Sequence, residues 1–347
     1  MSRPIAAYIM ARDSFGKVYT ADQRAEISDL VDVDDNCFTP AQALASPEML
    51  GRVELILSGW GGPKLDAKFL AGAPNLKAVF YGAGATSDIV TSAAWRRGIV
   101  VTCAYAANAT PVAEYCFATT IFSLKRGWQY MRSVSQDRTF HQRLPTRGAY
   151  ESTVGLVSMG MTARKFRELL ALTDVRVLAY DPYLDAREAE ELGVTSVGLA
   201  ELFELSDVVS IHTPLLPETA GLISKRELGL MRSGATLINT ARGRIINQTD
   251  LIEVLQCRRD IYAVLDVTDP EPPPPDSPLY DMPNVVLTPH IAGSLDGECA
   301  RMGRDMIAEL RRYLCGEPLV WAVTPELAAN SSHRPRDVPA RLARHAG

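Results

Sequence analysis

Arg242, Glu271 and His290 are the residues whose types could do chemistry together. A guanidinium presents a rigid fork that grips a carboxylate at two points. An imidazole, with an unperturbed pKa of about 6.5, exchanges protons near neutral pH, and a carboxylate beside it orients the ring. Reduction of a 2-oxo acid asks a protein for these functions: a cation for the carboxylate, a proton donor for the emerging alkoxide, and room for a hydride source. Arg242 follows an apolar run ending at Asn239, and His290 follows one ending at Leu287. Both would stand at the carboxyl edge of a parallel sheet, where doubly wound folds bind ligands.

A second group of residues fits a dinucleotide. After the apolar run Thr153 to Val157 comes Ser158-Met159-Gly160-Met161-Thr162-Ala163, which opens a helix. This is a G-x-G-x-x-G loop with Ser158 at the first glycine, Gly160 at the second and Ala163 at the third. The second glycine matters most, because a Cβ there would block approach of backbone amides to a pyrophosphate. Asp181 ends the next strand, 18 residues beyond Ala163. An acid there binds ribose hydroxyls and repels a 2′-phosphate, so NAD is expected as the cofactor and NADP is less favoured. Arg176 and Arg187, near Asp181 in sequence, speak for the phosphate form.

The elements that must position these groups follow from the hydrophobic pattern. Short apolar runs read as strands at Ile5 to Met10, Glu54 to Ser58, Lys77 to Tyr81 and Ile99 to Cys103. A helix is expected over Val112 to Arg126. Six further strands are expected at Thr153 to Val157, Val175 to Tyr180, Val208 to His212, Thr236 to Asn239, Tyr262 to Leu265 and Val285 to Leu287. Strands alternating with helices give an α/β fold with two Rossmann-like domains. The helix Glu298 to Leu314 can return to the first domain, so a doubly wound parallel sheet, the cofactor domain at 107–296, is inserted in a flavodoxin-like substrate domain built from 1–106 and 297–330. Residues 331–347, rich in Arg, Pro, His and Ala, are expected to form a mobile tail.

Composition narrows the function classes. The 347 residues are 47% hydrophobic and 22% charged, with a formal net charge of -5 and no block of like charge. Such a surface has no long-range pull toward phosphate, so nucleic acid is not an expected partner, and an anionic substrate must be attracted locally. No run reaches the roughly 18 apolar residues of a membrane span. The six cysteines lack CxxC spacing, and neither they nor the histidines show metal-ligand spacing. A cytoplasmic, metal-free protein with reduced thiols is expected.

Four segments carry a resemblance to a family. They are Ser206-Asp-Val-Val-Ser-Ile-His-Thr-Pro-Leu-Leu-Pro-Glu-Thr219, Leu237-Ile-Asn-Thr-Ala-Arg-Gly-Arg244, Leu265-Asp-Val-Thr-Asp-Pro-Glu-Pro272 and Leu287-Thr-Pro-His-Ile-Ala-Gly-Ser294. In this order they resemble the D-isomer-specific 2-hydroxyacid dehydrogenases, over roughly Leu55 to Leu319. The resemblance implies an NAD-dependent exchange of hydride with a small 2-hydroxy or 2-oxo acid, with Arg242 as carboxylate anchor, His290 as acid and base, and Glu271 orienting the histidine. It implies cofactor contacts at His212, Thr213, Pro214, Thr240, Ala241, Asp266 and Asn108, beside Ser158, Met159, Gly160, Met161 and Asp181 of the loop. It places the substrate carboxylate on the turn Gly82, Ala83 and Gly84, and it implies a homodimer with Val112 to Tyr150 as contact arm. Two departures stand out: Ser158 replaces a glycine, and Asn247 stands where the family commonly has Asp. The alternative is a catalytically weak NAD(H)-sensing interaction protein, similar to the corepressors that share this fold.

Overall fold

The computed structural model describes residues 3–140, 142–143 and 146–334. The chain divides into two compact units, Met1–Asn108 with Ser294–Gly347, and Ala109–Gly293. The helix Tyr105–Leu124 carries the chain from the first unit into the second.

The first unit holds a parallel sheet of β1 (Ile5–Ile9), β2 (Asp32–Phe38), β3 (Leu55–Ser58), β4 (Ala78–Tyr81) and β5 (Val100–Cys103), in the order β2-β1-β3-β4-β5. That is the flavodoxin-like order. Strand β2 escaped the sequence reading because Asp-Val-Asp-Asp-Asn-Cys-Phe has no apolar alternation. It is an edge strand, largely exposed, and its acidic side chains guard an unpaired edge.

The second unit holds β6 (Thr153–Val157), β7 (Arg176–Tyr180), β8 (Thr195–Ser196), β9 (Val208–Ile211), β10 (Thr236–Asn239), β11 (Tyr262–Leu265) and β12 (Val285–Leu287). Their order, β12-β11-β10-β9-β6-β7-β8, reverses direction at β6, as in a doubly wound dinucleotide fold. All pairings are parallel, and the central strands β6, β9, β10 and β11 are covered on both faces and read as largely apolar runs, whereas the edge strand β8, polar and exposed, escaped the sequence reading. Phe166 and Phe203, on helices flanking β6, are fully buried. Each contributes roughly 1.5–3 kcal/mol of burial.

The helix Tyr105–Leu124 begins seven residues before the expected start at Val112 and contains Pro111. Proline removes one helical hydrogen bond, which made it look like a boundary. The small residues Ala106, Ala107, Ala109, Ala113 and Cys116 are all buried, and their packing outweighs the missing bond. The tail also differs from expectation. Residues 331–334 are packed, with His333 and Arg334 buried, whereas 335–347 lie outside the described residues. Residues 321–323 run beside β5, with Val323 N donating to Val101 O (2.8 Å) and Cys103 N to Trp321 O (3.1 Å).

Candidate active site

Strand register brings the candidate residues together. Leu287, Leu265, Asn239, Ile211, Val157 and Tyr180 pair across β12, β11, β10, β9, β6 and β7 in one row. The residue after each is Thr288, Asp266, Thr240, His212, Ser158 and Asp181. One sheet edge therefore gathers six loops that lie up to 130 residues apart in sequence, counted from Ser158 to Thr288.

At the end of β6, Ser158 adopts φ +73°, the left-handed conformation that glycine favours. Its Oγ lies 3.1 Å from Thr213 Oγ1, so the hydroxyl ties the loop to the segment after β9. Met159 N donates to Asp181 Oδ2 (2.7 Å), and Arg164 Nε donates to Met159 O (2.8 Å). Gly160 caps the helix Met161–Leu170 without a side-chain hydrogen bond, and a Cβ built on it meets no atom within 4 Å. A helix N-terminus without a side-chain cap, with open space beside Gly160, is what a pyrophosphate requires.

Asp181 also accepts from Tyr183 N (2.8 Å), so its two oxygens set the geometry of both loops. The neighbouring cations are engaged elsewhere, Arg187 with Glu191 (2.9 Å) and Arg176 with Thr153 Oγ1 (3.0 Å). His212 packs its ring against Phe166 at 5.7 Å between centroids, and its buried Nε2 has no hydrogen-bond partner. Burial pushes this imidazole down to about 3, so it is neutral and ill-suited to proton exchange near pH 7. Thr213 is buried, and Pro214 O accepts from Thr219 Oγ1 (2.6 Å). These loops fit a dinucleotide: Gly160 leaves the backbone open, the helix terminus offers donors, and His212 carries an unsatisfied nitrogen.

Asn239 organises the next loop and was missed in the sequence. Its Oδ1 accepts from Ala241 N and its Nδ2 donates to Arg242 O, both at 3.0 Å. An Asx turn of this kind is signalled by Asn at a strand end before a small residue. Thr240 Oγ1 lies 3.3 Å from buried Cys116 Sγ. Arg242 is exposed and donates to Ala241 O (2.6 Å). Gly243 has to be glycine, since a Cβ there would stand 2.0 Å from the Thr268 carbonyl carbon. That contact seats the Arg242 loop on the loop that carries Glu271.

Asp266, 2% exposed, holds the histidine loop. Its Oδ1 accepts from Thr288 Oγ1 (2.6 Å) and Ile291 N (2.8 Å), its Oδ2 from Ala292 N (2.9 Å), and its carbonyl from His290 N (3.0 Å). Tyr115 extends the network to Thr288 at 2.9 Å. His290 itself has φ +56°. Its Nδ1 lies 2.5 Å from Glu271 Oε1. A carboxylate only accepts, so Nδ1 carries the proton and Nε2 is left for exchange with a substrate.

In the first unit, Gly82, Ala83 and Gly84 follow β4. A Cβ on Gly82 would meet Val18 Cγ1 at 2.6 Å, so packing already demands glycine there. Ala83 N donates to Tyr81 O (2.8 Å), and its carbonyl accepts from Ala104 N (3.0 Å). Asn108 lies against Gly84, its Nδ2 3.2 Å from the position of an added Cβ, and its Oδ1 accepts from Ser294 N (3.1 Å). Among the described residues no group of three His, Cys, Asp or Glu side chains is placed to hold a metal ion. No described helix is long and apolar enough to cross a membrane.

Residues 118–292 match the family described as D-isomer specific 2-hydroxyacid dehydrogenase, NAD binding domain. The chain is 34% identical over 260 residues to a D-3-phosphoglycerate dehydrogenase of Archaeoglobus fulgidus, covering 75% of this chain and 49% of that protein. It thus spans about half the length of the curated phosphoglycerate dehydrogenases it matches. It is 33% identical over 249 residues to a glyoxylate reductase of Korarchaeum cryptofilum, covering 71% of this chain and 75% of that one. A solved phosphoglycerate oxidoreductase from Rhizobium etli shares the fold, with a TM-score of 0.78 at 22% identity, covering 93% and 99% of the two chains. The chain therefore belongs to the D-isomer-specific 2-hydroxyacid dehydrogenase family.

Proposed function

We propose that this protein is an NAD-dependent dehydrogenase that interconverts a small 2-hydroxy acid and its 2-oxo acid. The Glu271–His290 pair carries the reading, because it fixes one imidazole tautomer on a loop clamped by Asp266. When bound, the nicotinamide supplies or accepts the hydride. The protein's own residues bind and move protons. Arg242 grips the carboxylate through its fork, and the turn Gly82–Gly84, whose Gly82 and Ala83 amides already donate to Ser58 O and Tyr81 O, offers it the Gly84 amide. His290 gives a proton from Nε2 to the alkoxide oxygen in reduction and takes it back in oxidation. Glu271 holds Nδ1 so that Nε2 keeps its aim.

The cofactor domain is assigned to Ala109–Gly293, with Ser158 to Met161, Asp181, His212 to Pro214, Thr240, Ala241 and Asp266 lining its binding edge and Asn108 at its border. NAD over NADP is supported by Asp181 and by the prior engagement of Arg176 and Arg187. Relatives named D-3-phosphoglycerate dehydrogenase and glyoxylate reductase make the 2-oxo acid of 3-phosphoglycerate and glyoxylate the first substrates to test. A homodimer in the cytoplasm fits the free thiols and the helix Gly127–Asp137, which buries none of its own residues. Met131 within it and Phe140 just after it are 58% and 90% exposed, as a contact arm would be.

The test is NADH oxidation with a panel of 2-oxo acids, run alongside NADPH. Turnover of any member with a preference for NADH is the expected result. NADH binding without turnover of any acid would overturn the dehydrogenase reading and favour a sensing role.

A further inference from the structure

We propose that the C-terminal segment Trp321–Arg334 is a positioning strut for the turn Gly82–Thr86, acting through His333, which makes His333 a positioning residue for the substrate carboxylate. This rests on the reading above that the turn receives that carboxylate. The segment lies beyond the stretch over which the sequence resembles the family, yet it is built into the first unit. Buried Glu309 starts it by accepting from Val320 N (3.2 Å) and Trp321 N (2.9 Å). Residues 321–323 then follow β5, and the helix Pro325–Ala329, capped by Thr324, buries Ala328 in the core beside Val323.

The chain then brings the His333 ring, 4% exposed, to Thr86. Nδ1 lies 3.1 Å from Thr86 Oγ1 and 3.8 Å from Cys103 Sγ, and the ring meets Tyr105 edge-on at 5.0 Å. Thr86 is fully buried, and its carbonyl accepts from Ile89 N and Val90 N. The turn is therefore pinned at both ends, at Ala83 by Ala104 and at Thr86 by His333, with Gly84 and Ala85 half-buried between. A leucine or phenylalanine would fill the space behind Thr86 without the cost of burying an imidazole. What the imidazole adds is a directional bond that sets where the Gly84 amide, between Ala83 and Thr86, stands. Displacements on the scale of 1 Å in such a group weaken binding and rate steeply.

The test uses His333→Phe, which keeps a ring and loses the bond, and His333→Asn, whose amide reaches the position of Nδ1. Thr86→Val removes the same bond from the other side and serves if the phenylalanine variant does not fold. Expected are a KM for the 2-oxo acid raised about tenfold in His333→Phe and Thr86→Val, NADH affinity within about twofold, and recovery of most of the loss in His333→Asn. The double variant Thr86→Val/His333→Phe should be no worse than either single change. Amide hydrogen exchange at residues 84–86, read on the same proteins, should rise in His333→Phe and not in His333→Asn, whether or not the chain reduces any acid. Unchanged exchange in His333→Phe and Thr86→Val, or equal effects of Phe and Asn, would overturn the strut. A wild-type chain that reduces no acid, with the exchange pattern as expected, would overturn only the reading of the reaction.

Discussion

His290 presents its ring to Glu271 across 2.5 Å from a backbone held at φ +56°, and Asp266 is what holds that backbone. A non-glycine residue in this region costs of order 1–3 kcal/mol and persists only where neighbours over-determine it. The pair is 47% and 41% exposed, so solvent screening leaves it little weight in stability. Its consequence is orientation. Glu271→Gln should lower kcat by about 10- to 100-fold with little change in melting temperature. Steady-state kinetics beside a thermal melt checks this, and an equal loss of both would point to a scaffold role.

Asp266→Asn should act on structure as well as rate. An amide in place of the carboxylate turns one acceptor into a donor against Ile291 N or Ala292 N. Leaving one such buried donor unpaired costs about 1–3 kcal/mol. Denaturant unfolding should show that loss, and kcat should fall as the His290 loop loosens. A variant with wild-type stability would argue against the clamp.

Ser158 balances two opposing terms of similar size. Its left-handed backbone costs about 1 kcal/mol, and its hydroxyl contact with Thr213 contributes about as much. Ser158→Gly relieves the first and forfeits the second, so stability should stay within about 0.5 kcal/mol of wild type. Ser158→Ala forfeits the contact and keeps the strain, and should lose about 1 kcal/mol. Urea unfolding of the two variants separates them, and equal stabilities would show that the backbone strain is not there.

Acid should destabilise the protein through buried His333 and through His212, whose Nε2 is buried. Burial lowers His333 from 6.5 to about 4 and His212 to about 3. Between pH 6.5 and 4 the unfolded chain binds protons that the folded chain refuses, so stability falls as pH falls. For His333 the full loss is about 3 kcal/mol, reached near pH 4. Stability measured against pH should be flatter in this window for His333→Asn than for wild type. A parallel pair of curves would mean that His333 titrates freely.

Much of the site was legible because its chemistry clusters at strand ends. Six of the seven strands from β6 to β12 read as apolar runs, β8 being too short and polar, and the residue after most of these runs is a candidate at one sheet edge. Arg242, Glu271 and His290 stood out by type and motif. Asn239, Thr288 and Tyr115 did not, because their roles are hydrogen bonds whose partners are distant in sequence. The need for glycine at 243 arises from a carbonyl 25 residues away at Thr268, which no local pattern announces. Polar edge strand β2 and the packed residues 331–334 were hidden for a related reason. Neither has an apolar stripe, and the order of each comes from neighbours supplied by the rest of the fold.

The central claim is that His290 moves the proton in a hydride exchange, and His290→Gln tests it most directly. NADH oxidation by the wild type and by this variant, with the best 2-oxo acid of the panel, should differ by about 100- to 10,000-fold in kcat, with NADH affinity by fluorescence titration within about twofold. Turnover retained in His290→Gln would contradict the account.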